Sequence, residues 1–197
     1  MYTQTHVLLG AALLGGRLPR KAWIAALGGL VPDIPELIAY AVAKAVALPG
    51  AVMMGLLYTQ QWWRITEAVA HNFWAWGGLL LIATALRERL SATVRAIDAW
   101  SLVAVFAGAG LLHSVIDFLC QREDAHMSLW PVSNWTHTSP VSYWDPAHYG
   151  RIFSVLEIVL GLALAALLWR RFTGTWLRLA LICAVALYAL RASSLLT

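Results

Sequence analysis

Leu112-His113-Ser114-Val115-Ile116-Asp117 lies near the end of a long apolar run from Trp100 to Cys120. A histidine and an aspartate four residues apart share one face of a helix, one turn from each other. Two readings fit the pair. Imidazole and carboxylate can ligate one metal ion together, or they can form a buried hydrogen-bonded couple without a metal. Ionisable groups are costly to keep in so apolar a segment, and that cost points to function.

The rest of the chain sets the environment of this stretch. Of its 197 residues 60% are hydrophobic and 12% charged, against about 25% charged in ordinary soluble domains. The apolar residues fall in blocks, several near ~18 residues, long enough to cross a bilayer core. The expected fold is all-α: one integral-membrane domain over residues 1–197, a polytopic bundle of about five or six apolar helices. The expected spans run from Ala22 to about Leu48, Val69 to Leu86, Trp100 to Cys120, Ile152 to Trp169 and Trp176 to Leu196, after a short first helix around Val7–Gly16. Met1-Tyr2-Thr3-Gln4-Thr5-His6 has no basic n-region, so no cleaved leader is expected. Pro49 to Arg64 reads as interfacial, and Gln121–Gly150 as a long outer loop. Prolines at Trp130-Pro131 and Ser139-Pro140 make that loop rigid and extended, a lid or an anchor.

The second span is interrupted at Val31-Pro32-Asp33-Ile34-Pro35-Glu36. Two prolines remove backbone donors and break or kink the helix. A break at membrane depth survives only when buried in protein or lining a cavity. The break therefore either leaves two solvated acids or aims Asp33 at a site. Gly28-Gly29 before it permits close packing, which favours the second reading.

Basic residues concentrate in three loops, Arg17–Lys21, Arg87–Arg95 and Arg170–Arg178. By the positive-inside rule these loops are cytoplasmic, and the 121–150 loop is periplasmic if the membrane is a bacterial inner membrane. The net charge of +4 is thus a topogenic signal, and no nucleic-acid partner is expected. Tryptophans cluster at the span ends, as interfacial belts do. Cys120 and Cys183 have neither metal-type nor disulfide spacing and read as apolar fillers.

On this topology all six histidines fall on the outer side. His6, Asp33, His71, His113 and Asp117 are the candidate metal ligands, suited to Zn²⁺ or another first-row divalent ion. His126 is a weaker candidate, reaching in from the loop or lying on the surface. His137 and His148 are expected as loop residues, and Asp124 and Asp145 as loop charges or turn formers, Asp145 at a helix cap. Glu157 either pairs with Arg151 or lines the site. Glu36 is the spare carboxylate for proton transfer or for orienting a histidine.

Thr5-His6-Val7-Leu8-Leu9-Gly10, Gly29-Leu30-Val31-Pro32-Asp33, Ala70-His71-Asn72, His113-Ser114-Val115-Ile116-Asp117 and Leu129-Trp130-Pro131 occur in an order that resembles the membrane-bound metal-dependent hydrolases. These are bacterial inner-membrane proteins, some described as LexA-regulated. The resemblance implies a helical fold distantly similar to zinc-dependent phospholipase C and the S1/P1 nucleases. It also implies a multi-pass inner-membrane location, metal binding by His6, Asp33, His71, His113 and Asp117, and hydrolysis of a phosphoester or lipid headgroup. That family often carries His-Arg-Gly-x-Thr-His-Ser before its third-region histidine. This chain has Arg64-Ile65-Thr66-Glu67-Ala68-Val69-Ala70-His71-Asn72, with Asn72 partly replacing the serine as a hydrogen-bonding group at the site. The rival expectation is a membrane protein without catalysis, using a structural metal or a polar partner-binding or transport site; few ionisable residues in the inner halves of the spans speak against transport. A reporter fused after Ser91 is expected to read cytoplasmic and one inserted near Ser133 periplasmic. The reverse result would invert the orientation.

Overall fold

The computed structural model describes residues 1–89 and 94–196 and is helical throughout, with no strand among the described residues. The reporter position after Ser91 lies outside the described residues. The helices are α1 (Thr3–Leu14), α2 (Pro19–Leu30), α3 (Ile34–Ala45), α4 (Gly50–Tyr58), α5 (Gln61–Ala70), α6 (Phe73–Arg89), α7 (Val94–Cys120), α8 (Gly150–Arg171) and α9 (Thr175–Leu196). Five segments are long and apolar enough to cross a membrane: Pro19–Ala45, Gln61–Arg89, Asp98–Cys120, Gly150–Arg171 and Thr175–Ser193. The shorter apolar helix Thr3–Leu14 joins them, in keeping with five or six apolar helices.

Helix α7 is the axis, packed against α6, α2 and α1, and α8 and α9 close the bundle through α1. One apolar core joins α1, α2, α8 and α9 through residues such as Leu8, Leu164, Leu168, Leu181 and Tyr188. Leu156, Val159, Leu179, Ile182 and Leu190 on the outside of α8 and α9 are exposed, an apolar surface of the kind acyl chains cover.

Two of the five spans are broken. The first break is the expected one: a 3-10 turn over Val31–Asp33 carries Pro32, and Pro35 sits in the first turn of α3. The second, unexpected, falls at His71-Asn72 between α5 and α6. The Asn72 Oδ1 accepts the amide of Ala75 at 2.8 Å, so Asn72 caps α6. The segment from Pro49 to Arg64, expected as interfacial, is helical and divides between α4 and α5. Trp63 and Trp76 are buried rather than belt residues: Trp63 packs with Ala39 and Met54, and Trp76 lies against Gly110.

The loop from 121 to 149 is tied down as its prolines implied. Ser139 N–H donates to Gln121 O (3.0 Å), Tyr143 N–H to Cys120 O (3.2 Å) and the Ser139 hydroxyl to Leu119 O (2.8 Å). Asp145 accepts from Ala147 N–H at 3.0 Å, capping the short turn that leads into α8.

Close approach of α2 to its neighbours needs its glycines. A Cβ on Gly28 would collide with the Phe106 carbonyl of α7, and one on Gly29 with the His6 carbonyl of α1. Gly77 on α6 has open space beside it. Gly28→Ala is therefore expected to lower stability by about 1–3 kcal/mol through overpacking, while Gly77→Ala is neutral or slightly stabilising. Thermal unfolding of the two variants in detergent checks this, and equal effects would overturn the packing account.

Candidate metal centre

The two helix breaks and the end of α7 converge. Asp33 closes the first break, His71 opens the second, and His113 and Asp117 face them from α7. All four are buried and each offers one ligand atom, these lying within 4.8 Å of one another. His113 Nε2 is 3.2 Å from Asp33 Oδ1 and 3.0 Å from Asp117 Oδ2. His71 Nε2 is 3.6 Å from Asp117 Oδ2 and 4.0 Å from Asp33 Oδ1.

These are short distances without hydrogen-bond geometry. His113 Nε2, His71 Nε2 and Asp33 Oδ2 are buried and have no hydrogen-bond partner. Ligands at ~2.0–2.1 Å from a tetrahedral ion stand about 3.4 Å apart, and these separations of 3.0–4.0 Å bracket that spacing. The remote nitrogens are already committed. His113 Nδ1–H donates to Gly29 O at 2.7 Å, and His71 Nδ1–H to Glu67 O at 3.1 Å. A histidine held this way presents an unprotonated Nε2, as metal-binding histidines do. Gly29 lies in the last turn of α2, where carbonyls have no partner within the helix, so the break also frees an acceptor for His113. The residues fit a divalent cation.

His6 stands beside this group rather than in it. Its Nε2–H donates to Asp117 Oδ1 (2.9 Å), and its ring stacks on His113 with centroids 3.6 Å apart. Gln121 Nε2–H donates to Asp117 Oδ2 (3.2 Å), and the Met1 amino group to Asp117 Oδ1 (2.7 Å). Asp117 is thereby held from several sides.

Other expectations are corrected. Glu157 does not pair with Arg151; it is buried and accepts from the Thr5 hydroxyl (2.7 Å) and Tyr2 N–H (2.6 Å). Asn72 is not free for chemistry: one end caps α6 and the other donates to the Trp130 carbonyl, fastening the loop. Glu36 orients no histidine; it accepts from the Tyr58 hydroxyl at 2.8 Å. Burial pushes the Tyr58 phenol up, so it stays a donor.

His126 is buried, not on the surface, and belongs to a second group with Glu67 and His71. Burial, with His71 alongside, holds the His126 imidazole well below its ordinary range and keeps it neutral. Glu67 is the residue that sequence reasoning missed. Its signal was present: Glu67 and His71 have the same four-residue spacing as His113 and Asp117. His137 stacks on Phe118, and His148 bonds Asp145 at 2.6 Å, both on the loop as expected. Asp124 accepts from the Tyr143 hydroxyl (3.2 Å), and burial raises its carboxyl above the usual range.

A cavity of about 540 Å³ has Tyr2, Glu36, Tyr58, Asp124, Tyr143 and Arg191 in its wall, and none of the four cluster residues lines it. Glu36 is one turn beyond Asp33, and Tyr2 follows the residue that bonds Asp117. Comparison with models of known protein families, with curated proteins and with solved structures finds no match.

Asn72→Ala is expected to lower thermal stability by about 1–2 kcal/mol through the lost cap, with metal content unchanged. Loss of metal at unchanged stability would instead give Asn72 a role at the site.

Proposed function

We propose that this protein is a membrane metallohydrolase in which Asp33, His71, His113 and Asp117 hold a divalent cation, zinc first among the candidates. The observation that carries the reading is the convergence of the buried His71 and His113 Nε2 atoms, neither with a hydrogen-bond partner, on the carboxylates of Asp33 and Asp117. Two carboxylates and two neutral imidazoles balance the charge of a dication, which removes the large cost of burying the acids alone. A bound cation supplies Lewis-acid polarisation and a water of lowered pKa.

The chain's own residues do the rest. His6 and Gln121 hold the Asp117 carboxylate in one orientation. Gly29 and Glu67 carbonyls fix the tautomers of His113 and His71. Glu36, in the chamber wall, is the available proton acceptor. The ordered likeness to the membrane-bound metal-dependent hydrolases supports a phosphoester or lipid-headgroup substrate in the bacterial inner membrane. The basic loops favour a site on the periplasmic side. A structural metal is the second reading, favoured by the near-complete burial of all four residues; an exchangeable water position separates the two.

Purified wild type is expected to carry metal and to cleave phosphodiesters presented in lipid vesicles. His113→Ala and Asp117→Ala are expected to lose the metal at this position and about 100-fold or more of the activity. Full metal occupancy in both variants, or none in the wild type, would overturn the assignment. Metal without activity in the wild type would select the structural reading.

A further inference from the structure

Arginines from two separate helix ends line one cleft at the far side of the bundle from the four-residue cluster. Helix α1 starts beside the cluster, with His6 against Asp117, and ends at Leu14. Near the start of α8, Glu157 accepts from the Thr5 hydroxyl of α1. The last residues of α8, Arg170 and Arg171, lie about 20 Å further along its axis. The C-terminal ends of the two helices enclose a cleft of about 620 Å³, walled by Ala12, Leu13, Arg17, Leu167, Arg170 and Arg171. No carboxylate lines it among the described residues.

The three arginines do different things. Arg171 Nη1–H donates to Ala12 O (2.7 Å) and Gly16 O (3.1 Å), serving carbonyls left open where α1 ends and joining the two walls of the cleft. Gly16 has a φ of 58°, the left-handed conformation that ends a helix, and Arg17 follows it into the cleft wall. Arg17 and Arg170 are exposed. By contrast Arg20 pairs with Asp98 at 3.2 Å, and Arg178 lies over the Trp169 ring. The dipole of α8 accounts for a basic residue in its last turn. A topogenic signal accounts for basic residues anywhere in the loops. Neither requires guanidinium groups from two helix ends around one cleft without an acid.

We propose that this cleft binds the headgroup of an anionic phospholipid, with Arg17 and Arg170 on its phosphate and the exposed Leu13 and Leu167 against its acyl chains. Guanidinium groups suit the role, because each can offer two parallel N–H donors to phosphate oxygens. The leucines favour a lipid over a free phosphate. Leu167 continues, at helical spacing, the exposed row of Leu156 and Leu160 along α8, which gives an acyl chain an apolar path away from the cleft. The site shares no residue with the metal cluster and does not depend on the metallohydrolase reading.

The test is lipid selectivity. Detergent-purified protein is titrated with phosphatidylglycerol, with phosphatidylcholine of the same chains and with inorganic phosphate, and bound molecules are counted by native mass spectrometry. Phosphatidylglycerol is expected to bind about tenfold or more tightly than phosphatidylcholine. Inorganic phosphate at equal concentration is expected not to displace it. Each arginine near an anionic headgroup is worth about fivefold, so the double variant Arg17→Gln with Arg170→Gln is expected to bind phosphatidylglycerol about 30-fold more weakly. Arg87→Gln with Arg89→Gln removes the same charge from another basic loop and is expected to leave the affinity unchanged. Equal binding of the two lipids, displacement by phosphate, or the same loss in both double variants would each overturn the proposal. The first two outcomes need no variant to fold, and a protein that carries no metal leaves the proposal standing.

Discussion

Carboxylates buried among apolar helices impose the constraint on which this structure depends. Asp117 and Glu67 are almost wholly removed from solvent and Asp33 nearly so. An uncompensated buried charge costs several kcal/mol even after relaxation, comparable with the whole stability of a domain. The chain has to meet that cost with protons, with hydrogen bonds or with a cation. It supplies only part of the hydrogen bonding: Asp117 is well served, while Asp33 Oδ2 and both oxygens of Glu67 are not. The deficit sits where the histidine nitrogens are also unpaired. That coincidence is hard to obtain from a structural ion-pair network, which would close its own hydrogen bonds.

The backbone is bent to serve the same place. An unbroken span keeps its polar groups within itself and offers the bundle interior only side chains. Here two spans are broken, and both breaks meet α7 near its C-terminal end. The first puts Asp33 at the end of a 3-10 turn and releases the Gly29 carbonyl to hold His113. The second puts His71 just beyond the end of α5, with Asn72 capping the helix that resumes. The small residues of α2 let these pieces come together, because the carbonyls of α1 and α7 occupy the space a side chain would need.

Much of this was legible in the sequence, and the reasons are physical. The spans follow from block hydrophobicity, and the four-residue spacing of His113 and Asp117 survives in any helix. Pro32 and Pro35 announce a break because they lack a donor wherever they are placed. Glu67 was not legible. It sits among Trp62, Trp63 and Arg64 in a segment whose composition suits a membrane interface, and its burial is created by α3, α4 and the loop. His126 stays open in the sequence between the site and the surface for the same reason, since polar loop composition says nothing about what the loop covers. Trp63 and Trp76 were read as belt residues because tryptophan at a span end usually faces the headgroups; here neighbouring helices enclose them.

Burial and catalysis pull in opposite directions at such a centre. A closed site strengthens electrostatic interactions but excludes the water that hydrolysis consumes. A cavity of about 540 Å³ has Glu36, one turn along α3 from Asp33, in its wall. The same wall carries tyrosines, the carboxylates of Glu123 and Asp124, and Arg191. Because the candidate ligands come from two helix breaks and a helix end, part of the binding free energy of a cation there would also be folding free energy. A cation at this position would tie the N-terminal end of α3 and the C-terminal end of α5 to the last turns of α7.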